Sequence, residues 1–239
     1  MLKPLWKTWL LRPLEGLLDL FFPPQCPSCG GTVREAFCLC DNCQSLTRRV
    51  TPPWCPRCGH PFSRGPDHLC RNCLNELWHF DGLRSSFVYR GPVAKLWARF
   101  KYRGDRGAFR TLVKLAAQDL PAFEVDLALP VPLHSSRLRE RTFNQAWCLL
   151  RALWPDLPRR YNLLLRHRKT ASQVTLPPSK RKANVRGAFS VRERLSGESL
   201  LLVDDVFTTG ATVNECVRVL KAAGAGRVLV YTLARSILT

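Results

Sequence analysis

Two adjacent carboxylates, Asp204 and Asp205, stand at the end of an apolar run, Leu200 to Val203, and are followed closely by Thr208, Thr209, Gly210, Ala211 and Thr212. The run reads as a buried parallel strand, and the loop leads into a segment whose apolar residues, Val213, Val217, Leu220 and Ala223, recur at helical spacing. A strand, a hydroxyl-rich turn and a helix N-terminus in that order make an anion site. Unpaired amides and the positive end of the helix dipole face the ligand, the threonines donate hydroxyls, and Gly210 lets the backbone come close. The paired acids are suitable acceptors for vicinal ribose hydroxyls, so the chemistry is recognition of a sugar phosphate. Neither the Gly-Lys-Ser/Thr of a Walker loop nor the Gly-x-Gly-x-x-Gly of a dinucleotide site is present here. An acidic strand end with a serviceable turn is the plainer alternative.

The elements that must position these residues follow from hydrophobic pattern. Phe87 to Tyr89 and Leu127 to Val131 read as strands, and Pro92 to Tyr102, Ala108 to Leu120 and Arg141 to Leu153 as helices. Val228 to Leu233 reads as a strand after the helix ending at Gly224. Strands alternating with helices specify an α/β fold, a parallel sheet covered on both faces whose ligands gather at the carboxyl ends of its strands. The acids, hydroxyl loop and helix together resemble the 5-phosphoribosyl-1-pyrophosphate (PRPP) site of type I phosphoribosyltransferases. That resemblance implies that Asp204, Asp205, Thr208, Thr209, Gly210, Ala211 and Thr212 surround the ribose 5-phosphate. It also gives a role to the loop from Pro130 to Gln145, which carries Arg137, Arg139 and Arg141. Guanidinium forks suit pyrophosphate oxygens, with Arg137 or Arg141 stabilising the departing group.

Nine of the eleven cysteines lie between Cys26 and Cys73, and eight of them form the pairs Cys26/Cys29, Cys40/Cys43, Cys55/Cys58 and Cys70/Cys73. Cys-x-x-Cys pairs at this spacing read as zinc knuckles, two knuckles completing a tetrahedral four-cysteine site. Eight ligands imply two structural Zn2+ ions, with consecutive and interleaved pairing both open. A disulfide framework needs an oxidising compartment, and no convincing export signal precedes the cysteines. Cys38 is a spare thiol, while Cys148 and Cys216 read as core. The boundary falls near Trp78 to Gly82, giving an N-terminal helix and double zinc-binding region over 1–80 and a phosphoribosyltransferase-like domain over 81–239. Chelation is expected to unfold the zinc region and leave the sheet domain intact.

With 37 Lys plus Arg against 18 Asp plus Glu, the chain carries a formal net charge of +19, so anionic partners are expected. Lys101, Arg103, Arg106, Thr170, Gln173, Arg181, Lys182, Asn184 and Arg186 form the candidate lid or nucleic-acid contact, with Tyr102 and Trp97 as stacking faces. Residues from Arg166 to Arg186 have few apolar side chains and a Pro177-Pro178 pair, which suggests a mobile segment. The first 22 residues form an amphipathic series interrupted by Pro13, Glu15 and Asp19. It falls short of the ~18 consecutive apolar residues of a membrane span, leaving packing on the protein itself or a peripheral membrane contact.

Phe100-Lys-Tyr-Arg-Gly104, Pro130-Val-Pro-Leu-His134, Arg141 with Phe143-Asn-Gln145, Lys169-Thr170 with Gln173, and Leu202 through Thr212 extend the likeness. With the cysteine pairs, they identify the chain as resembling the ComF family over residues 21–235. Thr142 departs from it, standing where the family has Gly. The resemblance implies a cytoplasmic protein of DNA uptake and natural transformation that binds PRPP with Mg2+, with competence-machinery proteins as further partners. Two functions follow: phosphoribosyl transfer to an unknown acceptor, or a non-catalytic, PRPP-regulated module that binds single-stranded DNA.

Overall fold

A computed structural model describes residues 23–170 and 183–237. Its centre is a four-stranded sheet built from β1 (Gly82–Val88), β2 (Leu127–Pro130), β5 (Leu200–Phe207) and β6 (Val228–Arg235), in the order β1-β6-β5-β2 with every pairing parallel. A two-stranded antiparallel hairpin, β3 (Leu164–Arg166) and β4 (Phe189–Val191), stands apart from it. The hairpin's strands flank the stretch from Arg166 to Arg186 read from the sequence as a mobile basic segment, sharing only Arg166 with it. Its strands are three residues each, too short to show a period.

The helices are α1 (Asp41–Ser45), α2 (Arg71–Asn75), α3 (Gly91–Arg103), α4 (Arg106–Ala116), α5 (Ser135–Arg141), α6 (Gln145–Leu153) and α7 (Ala211–Ala222). Gly104 ends α3 in the left-handed conformation at φ 66°, and Asp105 caps α4 by accepting from Ala108 N–H at 2.9 Å. The expected helix beyond Ala116 tightens into a 3-10 turn over Ala117–Asp119. The expected single helix from Arg141 to Leu153 is broken. Thr142 sits at φ 64°, and Asn144 begins a new helix by accepting from Ala146 and Trp147 N–H.

Each face of the sheet has its own core, and each core contains one cysteine tetrad. Cys26, Cys29, Cys40 and Cys43 gather in one tetrad and Cys55, Cys58, Cys70 and Cys73 in the other, with sulfur atoms within 4.8 Å of one another. Pairing is therefore consecutive. The first tetrad joins the cluster of Val93, Leu96, Trp97, Leu112 and Leu149 from α3, α4 and α6, while the second joins Leu83, Phe207, Ala211 and Val217 on the opposite face. Between the tetrads the chain runs along the outer edge of β1. Val50 N–H donates to Ser86 O at 2.9 Å and Val88 N–H to Arg48 O at 2.8 Å, which covers an edge that would otherwise be exposed. Among the described residues no helix is long and apolar enough to cross a membrane.

The second tetrad is bound most intimately to the sheet. Leu83 N–H donates to Arg57 O at 2.7 Å, and a Cβ on Gly59 would lie 2.7 Å from Leu83 O. Arg235, only 4% exposed at the end of β6, donates from Nη1 to Cys58 O at 2.5 Å. A shared core is not what an independently unfolding zinc module would have. Losing this tetrad should therefore take the sheet with it, and Cys70→Ser/Cys73→Ser is expected to lower the sheet's Tm by more than ~5 °C. Near-ultraviolet circular dichroism during heating is the check; an unchanged sheet transition would mean that the modules are independent. A second expectation concerns Thr142, a β-branched residue in a conformation that costs L-residues about 1–2 kcal/mol. Thr142→Gly should raise stability by about 0.5 kcal/mol, glycine's greater unfolded freedom offsetting part of the relief. Urea denaturation measures it.

Candidate functional site

The site is built where β2 ends beside β5, Pro130 pairing with Val203. Leu200 to Val203 are buried on both faces, and the strand expected to stop at Val203 continues through the half-buried Asp204 and Asp205 to Phe207, held by its pairing with β6 on the other side. Asp205 N–H donates to Asp204 Oδ1 at 2.9 Å, and Val206 N–H to Asp205 Oδ1 at 2.7 Å, which orients both carboxylates. Gly210 then turns the chain at φ 72° into α7 and offers no side chain to cap its first N–H groups. A helix start without a side-chain cap is the kind of terminus that suits an anion. The turn tolerates only glycine, since a Cβ there would lie 2.6 Å from Trp78 and 2.7 Å from the Phe207 ring. Thr209 Oγ1 is buried and without a protein partner, a further donor at the same turn.

From β2 the chain passes through Val131, Pro132 and Leu133 into α5, whose Arg137 and Arg141 line the same cavity of about 300 Å3. Asn144 closes this loop by donating to Val131 O at 3.0 Å while capping α6. Its position before an apolar periodic run is the ordinary signal of an N-cap. Arg139 is exposed and does not line the cavity. Asp204, Asp205, Thr208, Gly210, Ala211, Thr212, Arg137 and Arg141 are thus brought around one space.

The candidate lid set is divided. Lys101 lines the cavity itself, its Nζ 2.8 Å from Asp205 Oδ2. Thr170 is buried and accepts a hydrogen bond from Arg166, whereas Arg103, Arg106 and Arg186 are exposed outside the cavity. The Asn184 carbonyl accepts from Arg168 at 3.1 Å. Gln173, Arg181 and Lys182 lie outside the described residues. Trp97 offers no stacking face, because it is fully buried and packs on Phe100 at 5.4 Å; its helical spacing was that of the core. Tyr102 is 68% exposed, with the Arg141 guanidinium 5.6 Å from its ring centre. Among the polar residues lining the cavity, Tyr89, Asn144, Gln145 and Arg166 were not singled out from the sequence as site residues. Gln145 keeps an unpartnered, buried Nε2, and Arg166 an unpartnered Nε.

The electrostatics of the acids are unequal. Burial, reinforced by the charge of Asp205, pushes the Asp204 carboxyl up to about 8. Burial acts the same way on Asp205, but the Lys101 ammonium, by charge and hydrogen bond, outweighs it and holds that carboxyl below its ordinary value. The two neighbouring acids are thus pushed in opposite directions, Asp204 toward its protonated form and Asp205 toward the ionised form that pairs with Lys101. The lining sets cationic and hydroxyl donors on one side against carboxylate acceptors on the other, chemistry suited to a polyanion bearing vicinal hydroxyls.

Two domain families match the chain in the order the structure shows, a double zinc ribbon domain over residues 17–74 and a phosphoribosyl transferase domain over residues 149–237. Competence protein F of Haemophilus influenzae is 32% identical over 90% of this chain and 99% of its own length. Competence protein ComFC of Bacillus subtilis is 31% identical over 83% and 84%, respectively. The DNA utilization protein YhgH of Escherichia coli is 30% identical over 83% of this chain and 91% of its own. With identities of 30–32% to such relatives over 83–90% of this chain, the chain belongs to the ComF family.

Proposed function

We propose that the protein binds PRPP and transfers its phosphoribosyl group to an acceptor during DNA uptake. The carrying observation is the convergence of two strand-end loops on one cavity, the acid and hydroxyl loop from β5 and the arginine helix after β2. The 5-phosphate takes the α7 N-terminus with Thr208, Thr209 and Thr212, and the ribose hydroxyls face Asp204 and Asp205. Pyrophosphate lies toward Arg137 and Arg141. In transfer, the anomeric C–O bond to pyrophosphate breaks as a bond to the acceptor nucleophile forms and the nucleophile loses its proton. The arginines stabilise the charge that develops on the leaving group. Mg2+ accompanying PRPP supplies further neutralisation of the pyrophosphate. Each cysteine tetrad holds one structural Zn2+, since four sulfurs this close form a closed tetrahedral donor set. The protein works in the cytoplasm, where PRPP is made.

A second reading is favoured by one observation. Exposed Tyr102, backed by Arg141 and flanked by exposed Arg103 and Arg106, offers a stacking and phosphate-binding surface at the mouth of the cavity. It suits single-stranded DNA bound beside PRPP, with or without turnover. The names of the relatives, competence and DNA utilization proteins, support the same context.

Asp204→Ala/Asp205→Ala should weaken PRPP binding by about 1.5–3 kcal/mol for each charge-assisted hydrogen bond removed, read by titration calorimetry. Unchanged binding would mean the site is misassigned. Pyrophosphate release measured with DNA, nucleosides or bases present separates transfer from binding alone. For DNA, fluorescence anisotropy across salt should give a log–log slope of about −0.7 per phosphate contact, made shallower by Arg103→Ala/Arg106→Ala. The raised Asp204 carboxyl also sets a pH dependence. The folded chain keeps a proton that the unfolded chain, with an ordinary value of 3.8, releases, so stability falls as pH rises from about 4 to about 8. Asp204→Asn should flatten Tm over that window.

A further inference from the structure

Lys101 reaches the cavity from the last turn of α3, and its Nζ lies 2.8 Å from Asp205 Oδ2. The two side chains are 19% and 20% exposed, so this is a sheltered pair rather than a solvated surface contact. Asp205 Oδ1 already accepts from Val206 N–H at 2.7 Å, so both oxygens of that carboxylate are engaged before any ligand arrives. A divalent cation approaching Asp205 would have to displace an ammonium. The rest of the lining points the same way. Among the described residues around the cavity, Asp204 and Asp205 are the only carboxylates, against Lys101, Arg137, Arg141 and Arg166. A sugar carrying a phosphate and a pyrophosphate therefore meets fixed cations in excess of the acids.

We propose that Lys101 takes the place of a divalent cation beside Asp205, so that this site binds PRPP as the metal-free anion. An ammonium has three donors. One stays on Asp205, and the others would be free to donate to oxygens of the ribose and pyrophosphate. The inference rests on the PRPP reading and confines Mg2+ to assisting the departure of pyrophosphate.

Titration calorimetry with PRPP in resin-treated, metal-free buffer and again with MgCl2 tests this; a soluble chelator is avoided because it would strip the cysteine sites. Wild-type protein should bind in both buffers, with dissociation constants within about fivefold of each other, because the lost metal contact is already supplied by the charged side chain. Lys101→Gln should lose at least about tenfold in metal-free buffer, the size expected for a charge-assisted hydrogen bond, and recover when MgCl2 is added. Lys101→Arg, which keeps the charge, should bind without metal. Wild-type binding that requires MgCl2 would overturn the inference and leave the PRPP site standing, as would Lys101→Gln binding like wild type without metal. Absence of PRPP binding in either buffer would overturn both. Zinc content and far-ultraviolet circular dichroism of each variant establish that a loss reflects the site and not the fold.

Discussion

The site depends on the missing side chain at position 210. Gly210 turns from β5 into α7 at φ 72°, and the space a Cβ would occupy is filled by Trp78 and Phe207. Those rings belong to an aromatic cluster with Phe80, with ring centres 5.2–6.4 Å apart. The cluster is anchored in turn. Asn214 on α7 accepts from His79 N–H at 2.7 Å and donates to Leu77 O at 3.0 Å, while Arg235 lies 5.3 Å from the Phe207 ring and holds Cys58 O. The chain leaving the second cysteine tetrad is thereby strapped across the first turn of α7. Donors at a helix N-terminus are useful only if the turn before them is fixed, because preorganised groups need no rearrangement when the anion arrives. The ribbon supplies that rigidity from behind.

How much of this was legible depends on whether burial follows sequence pattern. α7 and the first half of β5 were legible, because a continuous apolar run followed by 3.6-residue spacing admits few other readings, whereas the continuation of β5 through Asp204 and Asp205 to Phe207 was hidden by the change from apolar to acidic residues. β1 was legible only at its end. Ser85 and Ser86 look like loop residues, yet both are buried, paired with Thr232 Oγ1 at 2.6 Å and Tyr231 OH at 2.7 Å. Hydrogen-bonded hydroxyls satisfy a core position as an alkyl group would, and nothing local announces that their partners lie some 145 residues away. The break between α5 and α6 was hidden for the opposite reason. Thr142 is a poor candidate for a left-handed turn, and the apolar spacing runs through it uninterrupted.

Within the site, residue type was readable and partnership was not. The acids, threonines and arginines announce themselves by chemistry at strand ends. Lys101 reads as one more surface base on a basic chain, because its long stem and its place near a helix end are typical of solvent-facing lysines. Its pairing with Asp205, more than a hundred positions later, exists only because α3 ends over the carboxyl edge of the sheet. Gln145 shows the same limit. It begins α6, is 2% exposed and directs its amide into the cavity, yet a glutamine at a helix start is chemically unremarkable.

The charge balance connects the cavity to the rest of the surface. With a net charge of +19, at least nineteen cationic side chains would remain unmatched even if every carboxylate were paired. Such an excess destabilises a compact chain through self-repulsion and is relieved by anions. The described ion pairs follow this economy, because several of them staple elements together instead of covering the surface. Arg49–Asp119 ties the edge segment to the end of α4, Arg99–Asp105 closes the α3–α4 corner, and Lys221–Asp81 ties α7 to the start of β1. Acids are spent on architecture, which leaves Arg103, Arg106 and Arg186 exposed to solvent. Inside the cavity the same scarcity holds, with two carboxylates among four cations. A polyphosphorylated sugar inside and a phosphodiester backbone outside would draw on one electrostatic surplus, so occupancy of either weakens the attraction left for the other, and this coupling is smallest where screening by salt is strongest.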